Sequence, residues 1–239
     1  MQYSLARRVT AEAVGTALLV ATVVGSGIMG ERLANGNVAN ALLANTVATG
    51  AALLTLILTF GPISGGHFNP AVTLADALDG GTAWRDVPGY LSAQFSGGLA
   101  GAIIAHLMFA LPWYSVSTHA RHGLAQAFSE FVATFGLMSV IWGCSRLRPA
   151  ATPYAVASYI VAAYWFTAST SFANPAVTLA RSISNTFAGI QPVDVLPFIL
   201  AQLAGAGCAT LLFRWLVPAS FAMAVHEDEP QPDAPQEAT

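Results

Sequence analysis

The chain reads as an all-α integral membrane protein: six transmembrane helices and two re-entrant half-helices, arranged as an inverted repeat. Three observations predict this. Of its 239 residues, 55% are hydrophobic and only 9% charged, with mean hydropathy +0.59. That leaves too little polar surface to solvate a globular domain, so lipid is the main solvent. The apolar residues gather in six stretches near the length, roughly 20 residues, that crosses about 30 Å of hydrocarbon as a helix. Finally, the heptapeptide Asn69-Pro70-Ala71-Val72-Thr73-Leu74-Ala75 recurs unchanged as Asn174-Pro175-Ala176-Val177-Thr178-Leu179-Ala180, 105 positions later, which marks an internal duplication.

The six spans fall at about 5–29, 38–60, 88–111, 123–144, 153–168 and 193–217. Arg7 and Arg8 ahead of the first run also suit a cleaved leader, but Glu12 inside the run argues against that reading. One alternating set of loops holds Arg7, Arg8, Arg85, Arg146, Arg148 and Arg214, and the other holds Arg32, Arg121 and Arg181. Positive residues favour short cytoplasmic loops, so both termini are expected in the cytoplasm, with the spans in the inner (plasma) membrane. Residues 1–223 form the expected channel domain, with repeats over about 5–111 and 123–217. Residues 224–239 are acidic and proline-rich and read as a disordered cytoplasmic tail.

The duplication reaches beyond the heptapeptide: Glu12 is echoed by Glu130, and Gln94 before Gly97-Gly98 by Gln202 before Gly205. Each half holds three spans, an odd number, so the second half sits upside down relative to the first. The heptapeptides lie after spans two and five, each behind a stretch that can turn sharply, Ser64-Gly65-Gly66 or Ser169-Thr170-Ser171. Asn is a favoured N-cap, and Pro at the first helical position sacrifices no hydrogen bond. Each copy therefore opens a helix too short to span, tolerable only if protein-buried or lining a water-filled cavity.

Inversion brings the two half-helix N-termini together near the midplane, each carrying roughly half a positive elementary charge. Cations and protons are disfavoured there. Asn69 and Asn174 can cap with their amide oxygens and point NH2 groups into the lumen, orienting passing water or alcohol oxygens. Either asparagine alone could be a simple helix cap, but the matched pair points to a pore.

These residues resemble the twin Asn-Pro-Ala signatures (Asn69, Pro70, Ala71 and Asn174, Pro175, Ala176) of the aquaporin, or major intrinsic protein, superfamily. Further likeness lies in Ala11-Glu12 with Gly15-Thr16, and in Ser64-Gly65-Gly66-His67-Phe68. It covers about residues 5–217 and extends to bacterial aquaglyceroporin-like members linked to arsenic resistance. The resemblance implies the aquaporin fold, a homotetramer with one pore per subunit, and no cofactor. It implies that Glu12 and Glu130 are buried supports of the re-entrant loops and that His67 is a pore-wall residue. From the residues alone, an intramembrane carboxylate could serve a proton relay, but the paired positions favour loop bracing.

By spacing from the signatures, the family's narrowest point falls on Thr49, Ala162, Ser171 and Val177, with Thr49 and Ala162 placed to within one residue. Val177 stands where the family has arginine. Arg181, one turn on, could substitute in part, but a long cation near a helix end is expected to snorkel to the outer interface. Four small or uncharged side chains predict a wide constriction. The expected function is passive passage of small uncharged solutes: glycerol-like polyols, neutral metalloid hydroxides such as arsenous acid, and water. A strict water channel is the alternative, and an inverted-repeat secondary transporter is less favoured because no ionisable group is expected at the midplane. A junction or scaffold role is a further alternative.

Composition excludes other classes. Net charge is −3 with pI near 5.9 and lysine is absent, so no nucleic-acid surface is expected. Cys144 and Cys208 lack metal-ligand spacing, and no metal site is expected. Ser64 and His67 have no third partner for an enzymatic triad, and no catalytic residue is expected.

Overall fold

The computed structural model describes residues 3–218, so the expected 224–239 tail lies outside the described residues. The helices in order are α1 (Leu5–Leu33), α2 (Val38–Ser64), α3 (Pro70–Asp79), α4 (Val87–Met108), α5 (Leu124–Leu147), α6 (Thr152–Phe166), α7 (Pro175–Arg181) and α8 (Pro192–Leu216). Helices α1, α2, α4, α5 and α8 are long and apolar enough to cross a membrane. The fifth expected span, α6, has 15 residues, about 22 Å of helix. A 3-10 turn, Pro149–Ala151, leads into it. It stops at Phe166 because the chain must turn inward, through left-handed Thr170 and Ser171, to deliver the second signature.

The elements pack as two equivalent sets. Helix α1 packs on α4 and α2, as α5 packs on α8 and α6. Half-helix α3 rests on α8, as α7 rests on α4, and α2 meets α6 across the centre. This is what an inverted repeat requires. Two glycines set the closest approach: a Cβ on Gly97 or Gly101 would strike the carbonyl oxygen of Ala13 or Ala17, so α4 lies directly on the backbone of α1. In the second half Gly205 lies on the Phe131 carbonyl in the same way, whereas Gly207 touches nothing within 4 Å. Small residues play this role in membrane bundles because lipid offers apolar contact but no close backbone packing.

Polarity is arranged inside out. Leu18, Val47, Leu107, Phe128, Leu200 and Leu211 are exposed, while Glu12, Gln94, Glu130 and Gln202 are wholly buried. At one end of the bundle Asp79 accepts from Arg146 and Arg214, and Arg146 also donates to the Phe213 and Val217 carbonyls, tying the tail of α3 to α5 and α8. Arg8 donates to Asp86 (2.6 Å), fastening α1 to the start of α4.

Candidate functional site

Each re-entrant loop is held by one buried carboxylate. Glu12 Oε1 accepts from Ser64 Oγ (2.7 Å) and His67 N–H (3.0 Å), and its Oε2 from Phe68 N–H (2.7 Å) and Gln94 Nε2 (2.7 Å). Glu130 accepts from Phe172 N–H (2.9 Å), Ala173 N–H (2.8 Å) and Gln202 Nε2 (2.6 Å). Gln94 and Gln202 also donate to Thr73 and Thr178 on the half-helices (2.8 and 2.9 Å), so each brace reaches from loop to helix. An ionised carboxylate accepts several donors and donates none, which is what these clusters of N–H and O–H groups require. Such bonding also lets Phe68 and Ala173 take left-handed backbone angles (φ 47° and 46°) immediately before the signatures.

The asparagines do two tasks at once. Asn69 Oδ1 caps α3 by accepting from Ala71 N–H (3.0 Å), and Asn174 Oδ1 caps α7 by accepting from Ala176 and Val177 (2.9 and 3.2 Å). Each Nδ2 then crosses to the opposite loop: Asn69 donates to the Ala173 carbonyl (2.7 Å) and Asn174 to the Phe68 carbonyl (2.8 Å). The sequence reading pointed both NH2 groups into the lumen. In the structure one hydrogen of each is committed to the crossed brace, and one remains.

A cavity of about 240 Å³ passes both asparagines. At one end it is walled by His67 and Asp76. His67 Nδ1 lies 3.1 Å from Thr73 Oγ1, and its Nε2 lies 3.9 Å from Asp76 Oδ2. Past the asparagines it is lined by Thr49, Tyr164, Ser171, Phe172, Val177 and Arg181. The Tyr164 hydroxyl donates to Thr49 Oγ1 (3.3 Å). Ser171 Oγ is buried and has no protein partner among the described residues.

Two expectations need correction. Ala162 is exposed on the outer side of α6 and is absent from the cavity wall. Ile160 and Tyr164 share the inward face because they are four residues apart, and a residue midway between them points about 200° around the helix. The cavity wall therefore contains an aromatic ring that spacing from the signature missed, although the inward series Val156, Ile160, Tyr164 was present to find it.

Arg181 does not snorkel outward either. It is 2% exposed, donates through Nε to the Ala188 carbonyl, and lies over the Phe172 ring with its Cζ 3.3 Å from the centroid. Residues after α7 fold back over it: Ser115 and Ser117 N–H groups bond the Ile183 and Ser182 carbonyls (3.0 and 2.9 Å), fixing that cover in place. The end of α7 thus does not face open water, the condition under which a long cation snorkels.

The outer loop supplies a second guanidinium. Arg121 donates to the Gly189 carbonyl (2.8 Å) and the Ser169 carbonyl (3.2 Å), and its Cζ lies 4.9 Å from the same Phe172 centroid. Burial pushes its pKa down to about 10, against the opposing pull of Glu130. His119 is held below its ordinary value, first by burial and then by Arg121 and Arg181. The surroundings of this mouth are electropositive.

The chain is similar to several known proteins. The family model described as Major intrinsic protein matches residues 1–152. Aquaglyceroporin AqpS of Rhizobium meliloti is 55% identical over 216 residues, 90% of this chain and 92% of its own length. Aquaporin NIP6-1 of Arabidopsis thaliana is 31% identical over 216 residues, covering 87% of this chain and 70% of its own. The X-ray structure of the aquaglyceroporin from Plasmodium falciparum superposes with TM-score 0.71 over 92% of this chain and 100% of that one; at 18% identity it attests the fold alone.

Proposed function

Because the chain belongs to the major intrinsic protein family, we propose that it is a passive channel for water, glycerol-like polyols and neutral metalloid hydroxides such as arsenous acid. The observation that carries the reading is a cavity that passes Asn69 and Asn174 and is lined beyond them by Thr49, Tyr164, Ser171 and Val177. Solute oxygens would accept the free hydrogens of the two asparagine amides, while the apposed N-termini of α3 and α7 add a positive field at the same level. Val177 leaves room that a longer side chain would fill.

A strict water channel is the second reading. It is favoured by Tyr164, which sets an aromatic ring on the cavity wall and whose hydroxyl is already bonded to Thr49. The family resemblance supports a homotetramer with one pore per subunit. The excess of arginine in one set of loops supports cytoplasmic termini and a plasma-membrane setting.

Stopped-flow light scattering on proteoliposomes tests the reading, with a water shock compared against inward gradients of glycerol and of arsenous acid. Fast entry of both solutes is expected in wild type. Val177→Arg should cut it about tenfold or more, the scale of steric discrimination in a small site. Fast water flux without solute entry would establish the strict water channel instead. Solute entry untouched by Val177→Arg would remove Val177 from the constriction.

A further inference from the structure

The two repeats stop being identical at the residue that follows the shared heptapeptide. There the first repeat places Asp76 and the second Arg181, 105 positions apart like the heptapeptides themselves. Both side chains line the cavity, and because the repeats are inverted they stand at opposite mouths. Their neighbours diverge at the same offset: His67 stands beside Asp76, and its counterpart Phe172 lies against Arg181.

We infer that Asp76 and Arg181 form a two-ended charge filter, in which Arg181 turns back cations at one mouth and Asp76 turns back anions at the other. The inference rests on the channel reading and specifies its discrimination.

Arg181 is placed for this task. Its Nε is spent on the Ala188 carbonyl, but no protein acceptor within hydrogen-bonding distance takes its terminal NH2 groups among the described residues, and it makes no ion pair among them. Glu130, the acid of the adjacent loop, has its oxygens committed to Phe172, Ala173 and Gln202. A buried guanidinium with free donors beside the lumen repels a partly dehydrated cation, while a hydroxyl oxygen can accept from it. Arg121, near the same ring, adds to the field but is spent on loop carbonyls and does not line the cavity.

Asp76 is held in mirror fashion. Thr82 Oγ1 donates to its Oδ2 (2.6 Å), and His67 Nε2 lies 3.9 Å away, so the carboxylate is fixed at the wall with part of its surface open. An anion entering there meets a like charge where the pore offers it little water. An ion of either sign is thus opposed at one end or the other, whereas a neutral solute meets hydrogen-bonding groups at both.

The test uses the full chain in proteoliposomes and reads K⁺, Cl⁻ and glycerol permeabilities together. Arg181→Gln should raise the K⁺-to-glycerol ratio about tenfold or more, a change equivalent to about 1.4 kcal/mol, and leave the Cl⁻ ratio low. Asp76→Asn should do the reverse. Adding Val177→Arg to Arg181→Gln returns a guanidinium to the same wall and should bring K⁺ permeability, here referred to water flux because Val177→Arg itself cuts glycerol entry, back to the wild-type level, which a role for Arg181 confined to bracing the loop would not allow. K⁺ and Cl⁻ ratios that stay at wild-type values in both single variants would overturn the filter. If Arg181→Gln fails to fold, Asp76→Asn alone decides, since an unchanged Cl⁻ ratio there breaks the two-ended scheme. Absence of glycerol entry in wild type would sink the channel reading instead, and the ion permeabilities would then be referred to water flux.

Discussion

Glu12→Gln removes one charge and one acceptor oxygen from the first re-entrant loop without changing side-chain volume. In wild type four donors converge on Glu12: Ser64 O–H, the N–H groups of His67 and Phe68, and Gln94 Nε2. The glutamine must turn its NH2 toward one pair or the other. Ser64 can rotate its hydroxyl to accept, and Gln94 can flip its amide, because Gln94 Oε1 is buried without a partner. Neither His67 nor Phe68 can respond, since a backbone N–H only donates. One buried backbone donor is therefore stranded, costing about 1–3 kcal/mol, and the surviving bonds lose charge assistance at roughly 0.5–1 kcal/mol each. The sum is about 3–5 kcal/mol, equivalent to roughly 10 °C in Tm for a chain of this size. Thermal unfolding of the purified protein, followed by circular dichroism, reads the shift. Glycerol flux on the same preparation should fall as well, because Phe68 and Asn69 are positioned by this carboxylate. A Tm within about 2 °C of wild type together with unchanged flux would refute the brace and reopen a role for Glu12 in proton transfer.

Gly101→Val should drive α4 off the Ala17 carbonyl and abolish the monodisperse folded species on size-exclusion chromatography, whereas Gly207→Ala, with open space around it, should be neutral or slightly stabilising. Tyr164→Phe removes the bond to Thr49 Oγ1 and frees a polar hydroxyl at the constriction; stopped-flow measurement should show water flux at least equal to wild type, with a Tm loss of about 1 kcal/mol equivalent. His119, held below its ordinary value of 6.5 by burial and then by Arg121 and Arg181, is neutral at pH 7. The unfolded chain takes up that proton first, so this group's share of stability is full above pH 6.5 and declines as the pH falls below it. In Arg181→Gln the His119 titration, followed by NMR of its ring protons, should move upward toward 6.5.

What the sequence made legible is what local chemistry decides. Asn-Pro favours a helix start, so both half-helices could be read directly, and the echo of Glu12 at Glu130 marked the pair whose bracing role the family resemblance implied. Tyr164 and the orientation of Arg181 were missed, for two different reasons. Ala162 was placed by spacing from the signature, and that spacing does not carry helix phase across the intervening chain, since α6 ends at Phe166 and Thr170, Ser171 and Ala173 adopt left-handed angles. Arg181 depends on the path of the chain beyond α7. The first half-helix ends on Gly80 in a left-handed cap (φ 91°), whereas α7 ends on Ser182 in a helical conformation, and the chain then returns to place the Ala188 carbonyl on the arginine. No periodicity encodes that return.

Several positions that the repeats share are scaffold, and two at which they differ face the lumen. The pairs that stay identical, Glu12 with Glu130, Gln94 with Gln202, Thr73 with Thr178 and Asn69 with Asn174, are bonded to loop or half-helix backbone or to one another. Changing one member strands a buried polar group, so the geometry of each half constrains these residues identically. The pairs that differ, His67 with Phe172 and Asp76 with Arg181, line the cavity with at least one face, where a change of chemistry alters what the lumen offers without unmaking the brace behind it. A duplicated pore with identical mouths would treat both ends of a permeating ion's path alike. Divergence at these two wall positions gives each mouth its own charge while the crossed Asn69 and Asn174 bonds keep the two half-helices in register, so selectivity can change without rebuilding the fold.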